Sequence, residues 1–304
     1  MFELHKNKLN DYRVNQSMLV NFWHIQHTGM TMRRTYTSAI ILSFIVLTLT
    51  ACSGSETMNE YTQQAQSSRT PAFIDRDKYR NPNETLAFFE ITKQQTVVEI
   101  WPGGAWYAEI LAPFLKNEGQ YYAAHFDKNS EVGFFTRMRE KFDEKVKTQP
   151  EVYANTITTS FEPPHVVDIA PQASADRVLT FRNVHNWMRN NSEQAAFDSF
   201  YKALKPGGKL GVVEHRAPES FTLDQMITTG YVSEAYVKQL AKKSGFIFES
   251  SSEVNANKLD TKSHPKGVWT LPPSLRLGDK DKTKYLSIGE SDRMTLKFIK
   301  PSAS

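Results

Sequence analysis

The chain has 304 residues, with 37 basic and 33 acidic side chains, 39% hydrophobic residues and one cysteine. A single cysteine excludes an internal disulfide and a zinc ribbon. Five of the basic and two of the acidic residues lie in the first 51 positions, which leaves 32 against 31 beyond them, a balance that gives no support to the clustered basic face of a nucleic-acid-binding protein.

Residues 1–29 are polar and aromatic without periodicity, and they precede better translation starts at Met30 or Met32. Arg33 and Arg34 then lead into the apolar run Ala39–Leu49 and the small-residue step Leu49-Thr50-Ala51-Cys52. A charged start, an apolar core shorter than the roughly 20 residues of a membrane span, and small residues before a cut are the parts of a secretory signal. Leu-Thr-Ala-Cys also resembles the lipobox of bacterial lipoproteins. That resemblance implies lipidation of Cys52 and a membrane association through a lipid anchor in the cell envelope. Ser53 after the cysteine implies an outer-membrane lipoprotein facing the periplasm. The expected organisation is a removed leader and signal over 1–51, a polar tether over 52–70, and one folded domain over 71–304, a length that suits a single large α/β unit.

Pro71–Ile91 reads as one or two helices, with Pro82 opening the second. Its Arg76–Arg80 charge cluster suits a solvated helical face or, alternatively, a cap over a pocket. Val97–Ile100 is a short β-branched strand of the buried parallel kind. Gly103 and Gly104 allow a sharp turn and close approach of a ligand, and Ala105–Leu115 follows as an amphipathic helix. Trp101 precedes Pro102 and is expected to be extended, its bulk walling the pocket. A second strand over Gly119–Phe126 ends at Asp127, and a helix spans Glu131–Lys147. Further strands are expected at Glu151–Thr159, Asp176–Phe181 and Leu210–Val213, with the helix Ser192–Leu204 closed by Lys205-Pro206-Gly207-Gly208. Then come the helix Val232–Ser244, a strand Phe246–Ser252, and an excursion over 255–284 whose Trp269 and Leu271 argue for a packed cover. A last strand spans Met294–Ile299. Strands alternating with helices predict an open α/β sheet, with its ligand crevice outside the carboxyl ends of the strands.

Glu99-Ile-Trp101-Pro-Gly103-Gly104-Ala105 resembles motif I of the class I S-adenosylmethionine-dependent methyltransferases, E/D-x-G-x-G-x-G. The fuller string, with Trp106-Tyr107 and Ile110-Leu-Ala-Pro113, is similar to a family of predicted envelope methyltransferases, and Leu204-Lys-Pro-Gly-Gly208 is a second, structural likeness. The resemblance implies a Rossmann-like, doubly wound sheet of seven strands with an antiparallel C-terminal strand; a flavodoxin-like all-parallel sheet is the competing expectation. It implies S-adenosylmethionine as cofactor, held by Glu99, Trp101, Gly103, Gly104 and Ala105, with Phe161 near the adenine and Arg182 at the exit of the fourth strand. Asp127, about 20 residues past the turn, has the spacing of a ribose-binding acid, or else caps the next helix.

If the fourth and fifth strands are neighbours, Asn183, His185, Glu214, His215 and Arg216 emerge at the edge that carries the glycine turn. Methyl transfer to a hydroxyl or amine needs positioning and removal of a proton, which histidine performs. His185 is therefore the first candidate base, with His215 and Asn183 as further catalytic candidates. No pair among His185, His215, Asp260 and His264 has the spacing of a metal site, and none is expected. The expected function is an S-adenosylmethionine-dependent methyltransferase acting on a small molecule or envelope component. The alternative is a lipid-anchored binding protein that keeps the fold without methyl transfer.

Overall fold

The computed structural model describes residues 60–302; the signal, Cys52 and the lipidation expected there lie outside the described residues. Folded structure begins earlier than the sequence suggests. Helix α1 (Glu60–Ala65) buries Tyr61 and Ala65, and the Tyr61 hydroxyl donates to the carbonyl of Ile91 at 3.0 Å. The stretch from 60 is thus packed rather than part of a tether, because one aromatic and one small residue suffice to fill the groove beside Phe114.

The expected helical region after Pro71 is three short pieces, α2 (Pro71–Ile74), α3 (Asp77–Arg80) and α4 (Pro82–Phe88). Asn81, with φ of 39°, breaks α3 from α4, since Pro82 cannot continue a hydrogen-bonded turn. Strand β1 (Thr96–Ile100) leads through the glycine turn to α5 (Ala108–Leu115), followed by β2 (Gln120–His125), α6 (Gly133–Thr148), α7 (Pro150–Tyr153) and β3 (Thr156–Ser160). The second half contains β4 (Ala175–Phe181), α8 (Val184–Trp187), α9 (Glu193–Ala203), β5 (Leu204–His215), α10 (Leu223–Thr229), α11 (Glu234–Lys243), β6 (Ile247–Ser252), α12 (Lys282–Ile288) and β7 (Arg293–Ile299).

The seven strands lie in the order β3-β2-β1-β4-β5-β7-β6. Strands β1 to β5 pair parallel, whereas β7 runs antiparallel to both β5 and β6. The antiparallel strand rules out the all-parallel alternative. Successive residues of a strand point to opposite faces, and both faces are covered: Val98, Ile100, Val178 and Val212 join one apolar cluster, while Val97, Leu179 and Val213 join the other. Strand order reverses between β1 and β4, so the loops leaving their carboxyl ends diverge and open a crevice there. Among the described residues, no helix is long and apolar enough to cross a membrane.

Candidate active site

The turn after β1 has an unusual backbone. Trp101, Gly103 and Ala105 all take positive φ, at 48°, 57° and 76°, and these are the three positions that glycine holds in the E/D-x-G-x-G-x-G pattern. Trp101 is therefore not extended, despite the proline that follows it. Its N–H donates to the carbonyl of Ala124 at 2.8 Å, and Ala105 N–H closes the turn onto the Pro102 carbonyl at 2.9 Å. Because Ala105 is held in this turn, α5 starts at Ala108 rather than at Ala105. A non-glycine residue in this region costs roughly 1–2 kcal/mol, so the surrounding structure holds a shape that the side chains oppose. His125 is part of that hold. Its Nδ1 accepts from Phe126 N–H at 2.8 Å and its Nε2 lies 3.1 Å from the Gly103 carbonyl, while burial pushes its pKa down to about 4. The ring is then neutral at pH 7, with Nε2–H donating to Gly103.

Beside the turn lies a cavity of about 890 Å³ whose walls include Trp101, Gly103, Phe126, Phe135, Glu162 and Asn183, within the usual size of a small-molecule site. The Trp101 indole donates to the Phe161 carbonyl at 2.7 Å and packs 4.7 Å from Phe126 and 5.4 Å from Trp187. Phe161 itself is fully buried behind this layer, so the structure removes it from the candidates for ligand contact. Its neighbour Glu162 takes that place: Oε1 accepts from Ser130 Oγ at 2.9 Å, and among the described residues Oε2 has no hydrogen-bond partner.

Two further cofactor candidates sit elsewhere. Asp127 is absent from the cavity wall; its Oδ1 accepts from Asn129 N–H at 3.2 Å and Ser160 Oγ at 3.3 Å. Nor does it cap the following helix, which Val132 precedes. Glu99 points into the α5 side of the sheet, where the Tyr121 hydroxyl donates to it at 2.6 Å, and burial raises its pKa to about 8. The enclosed carboxyl is absent from the cavity wall. Gly104 approaches Phe73, 3.8 Å from where its Cβ would stand.

The catalytic candidates divide between two cavities. Asn183 lines the larger one, its Nδ2 donating to the Ile100 carbonyl at 2.9 Å and Thr180 Oγ1 at 3.2 Å. His185 and His215, their ring centroids 5.3 Å apart, line a smaller cavity of about 240 Å³ above β4 and β5. Trp269 lies at the junction: Arg189 and Arg276, from the larger cavity, stack on its indole at 4.8 and 4.7 Å, while His185 approaches it at 5.9 Å.

Beneath the histidines is Glu214, fully buried. Its Oε2 accepts from Val184 N–H at 2.7 Å and His185 N–H at 3.4 Å. Its Oε1 accepts from His215 N–H at 2.8 Å and lies 3.0 Å from His185 Nδ1. With the other three partners all donors, the carboxylate takes a proton from no one and calls for Nδ1–H on His185, which leaves the lone pair on Nε2. His215 Nδ1 lies 2.5 Å from Ser291 Oγ; desolvation, then His185, Arg182 and other cations hold its pKa well below the ordinary value. Contrary to expectation, these three residues bring possible metal-ligand atoms within 4.8 Å of one another. The hydrogen bonds to both Glu214 oxygens and the arginines around the cavity oppose a cation at this place. Arg216, although it leaves the same strand end, is tied to Glu234, Glu253 and Asp292 and holds loops together.

The smaller cavity has a floor of arginines that the sequence pattern left on a helical surface. Arg76, Arg80 and Arg182 line it together with Glu290 and Ser291, and Arg293 stands next to Glu290. Arg182, expected at the cofactor, thus faces the histidine side. Among the described residues the Glu290 carboxylate is shared by Arg76 at 2.7 Å and by Arg80 and Arg293 at 3.2 Å. Burial pushes its pKa up, but Arg80, Arg293 and Arg76 outweigh that and bring it down to about 2.

No family model matches the chain, and no curated protein is related to it in sequence. Among solved structures it is similar to a SAM dependent methyltransferase from Aquifex aeolicus, at 14% identity over 78% of this chain and 97% of that one, TM-score 0.50. It is likewise similar to the [4+2]-cyclase SpnF, at 13% identity over 81% and 94%, TM-score 0.50. Identities at this level speak to architecture alone, and two different activities on one scaffold make the same point. The fold is the class I methyltransferase fold, with its seven-stranded Rossmann-like sheet and antiparallel β7.

Proposed function

We propose that the protein is an S-adenosylmethionine-dependent methyltransferase with the cofactor in the larger cavity and the acceptor above β4 and β5. The observation that carries this reading is the Glu214-held His185 at the same strand ends as the cavity beside the β1 turn. The residues present fit the cofactor. Trp101, Phe126 and Phe135 offer flat apolar walls to a base, the unpartnered Oε2 of Glu162 can accept from a hydroxyl or amine, and Gly103 leaves open space, with the nearest atom 3.8 Å from its would-be Cβ. When bound, the cofactor supplies an electrophilic methyl group on a sulfonium. Glu214 keeps the His185 proton on Nδ1, so that Nε2 is free to take the acceptor's proton. The arrangement resembles in logic the carboxylate-oriented histidine of hydrolases, where the carboxylate sets tautomer and orientation.

One observation favours the alternative of a binding protein without methyl transfer: the Trp101 indole occupies cavity wall that glycine would leave open, and Asp127 turns away. Calorimetric titration of the purified protein with S-adenosylmethionine and with its demethylated product separates the readings. Binding of either, weakened about ten-fold or more by Glu162→Gln, is expected from loss of a charge-assisted hydrogen bond. No heat from either ligand on a folded sample overturns the enzyme. The acceptor class we propose is a small molecule or envelope component, because the leader and Cys52 have the form of a lipoprotein signal. Palmitate labelling that survives Cys52→Ala would remove the anchor from this picture.

A further inference from the structure

We infer that the smaller cavity is an oxyanion receptor, and hence that the acceptor is a small molecule carrying a carboxylate or phosphate on an apolar body. This rests on the methyltransferase reading for the word acceptor, but the receptor itself is read from charge and geometry alone.

Three guanidinium groups, Arg76, Arg80 and Arg182, line the cavity, and a fourth, Arg293, pairs with the same Glu290 that Arg76 and Arg80 hold. The facing acids are Glu290, shared by three of the four, and Glu214, whose oxygens are taken up by backbone N–H groups and His185. Cations therefore outnumber carboxylates two to one. Partners are missing as well as charge. Among the described residues Arg76 Nη2 is buried without a hydrogen-bond partner, and the Arg182 side chain makes no hydrogen bond or ion pair. Arg182 is also held in place, with φ of 63° and its N–H bonded to the Val213 carbonyl at 2.7 Å. The proximity is costly: burial, then Arg182, pulls the Arg80 pKa well below its ordinary value.

A purely structural network would match its charges, because an uncompensated buried charge destabilises a fold. Guanidinium groups with free N–H donors at a cavity instead suit the planar or tetrahedral oxygens of carboxylate and phosphate. The opposite wall is apolar, formed by Val268, Trp269, Pro272 and Pro273. At about 240 Å³ the space admits a small molecule. An anion seated on Arg182 and Arg76 would bring the rest of that molecule under His185.

The test measures binding without turnover and without cofactor. The intact protein is titrated at constant ionic strength with benzoate, phenyl phosphate and the uncharged benzamide, on wild type and on Arg182→Gln, with folding checked by thermal melting. At least one of the two anions is expected to bind and benzamide not to. Arg182→Gln should weaken the anion about ten-fold or more, and whichever anion binds tighter identifies the headgroup. If Arg182→Gln fails to fold, Arg182→Lys serves, with an expected smaller loss. Benzamide binding as well as the anions, an unchanged affinity in the variant, or no anion binding to wild type each overturns the receptor. Anion binding with no cofactor binding would leave the receptor standing and refute the methyltransferase; cofactor binding with no anion binding would do the reverse.

Discussion

Replacing Glu214 by glutamine keeps the size of the side chain and changes only what one of its terminal atoms can do. In the wild-type site both oxygens accept, from Val184, His185 and His215 N–H groups at 2.7, 3.4 and 2.8 Å, with His185 Nδ1 at 3.0 Å. A carboxamide has one acceptor and one NH₂. If its oxygen stays with the Val184 and His185 amides, its NH₂ confronts the His215 N–H, and His185 must move its own proton from Nδ1 to Nε2 to accept. If it is flipped, the Val184 N–H loses its partner instead, in a site with no exposure. Either way a buried backbone donor is left unmatched, at about 1–3 kcal/mol, and a hydrogen bond to a charged group worth about 1.5–3 kcal/mol is weakened. A loss of about 2–4 kcal/mol in denaturant unfolding is expected. The chemical consequence is the larger one, since a proton on Nε2 removes the lone pair from the nitrogen that was to act as base; a fall of several orders of magnitude in turnover is expected by analogy with tautomer inversion in hydrolases. Nitrogen-15 NMR of the histidine rings reads the tautomer directly, with or without an acceptor. A Glu214→Gln protein that keeps the His185 proton on Nδ1 and also keeps wild-type stability would refute the reasoning, since the flipped carboxamide retains that tautomer only by leaving the Val184 N–H unmatched.

Glu99 is protonated in the folded chain up to about pH 8 but only to about 4.5 when unfolded, so folding takes up a proton in that interval. The Glu99 contribution to stability should be complete below pH 4.5 and decline by up to about 1.4 kcal/mol per unit toward pH 8; Glu99→Gln should flatten that slope in a set of melts, and an unchanged slope would count against it. Glu290 acts with the opposite sign: its folded pKa of about 2 lies below the usual 4.5, so its stabilisation is complete above pH 4.5 and is lost as pH falls through about 2. Glu290→Ala, which leaves Arg80 and Arg293 buried without their carboxylate, should cost about 3–5 kcal/mol at pH 7, and a loss below 1 kcal/mol would show that the arginines find other partners. Gly267→Ala places a Cβ 2.0 Å from the Thr229 carbonyl oxygen at a φ of 54°; overpacking and the left-handed backbone together should cost about 2–4 kcal/mol, and a neutral melt would mean the loop shifts freely.

The strands were legible because they are short β-branched runs separated by strong turn signals, whereas the antiparallel last strand was implied only by the resemblance to class I methyltransferases, the order of elements alone leaving an all-parallel sheet open. The approach of His185 to His215 was legible because both follow strand ends and the resembling fold makes β4 and β5 neighbours. Glu214 was visible at that edge, but its duty was not, because the backbone N–H groups it accepts from have no signature in a side-chain string. Arg76 and Arg80 were misplaced for a related reason. Their partner Glu290 lies 214 and 210 residues away, and a charge cluster on a short helix looks the same whether it meets water or a distant carboxylate. Trp101 defied a local rule: the preceding-proline preference for extended backbone yields to the demands of a turn clamped between β1, β2 and His125. Phe161 and Asp127 were read by position relative to strand ends, where a one-residue error decides between the wall of a cavity and the core behind it.

The place of β7 governs the order in which the molecule can assemble. Among the described residues β6 pairs with no strand other than β7, and 40 residues separate the end of β6 from the start of β7, so a chain emerging from the ribosome carries an unpaired β6 through that interval. The hydrogen-bonding edge of β5, which ends at His215, waits longer still. Glu290, Ser291 and Arg293 arrive with the same late strand, which means that the arginine wall stays uncompensated, and the His215 contact unmade, until the sheet closes. Burial of the last strand and completion of the chemistry are then one event, and a polypeptide stalled before it would hold a cluster of guanidinium groups without the carboxylate that pairs with them.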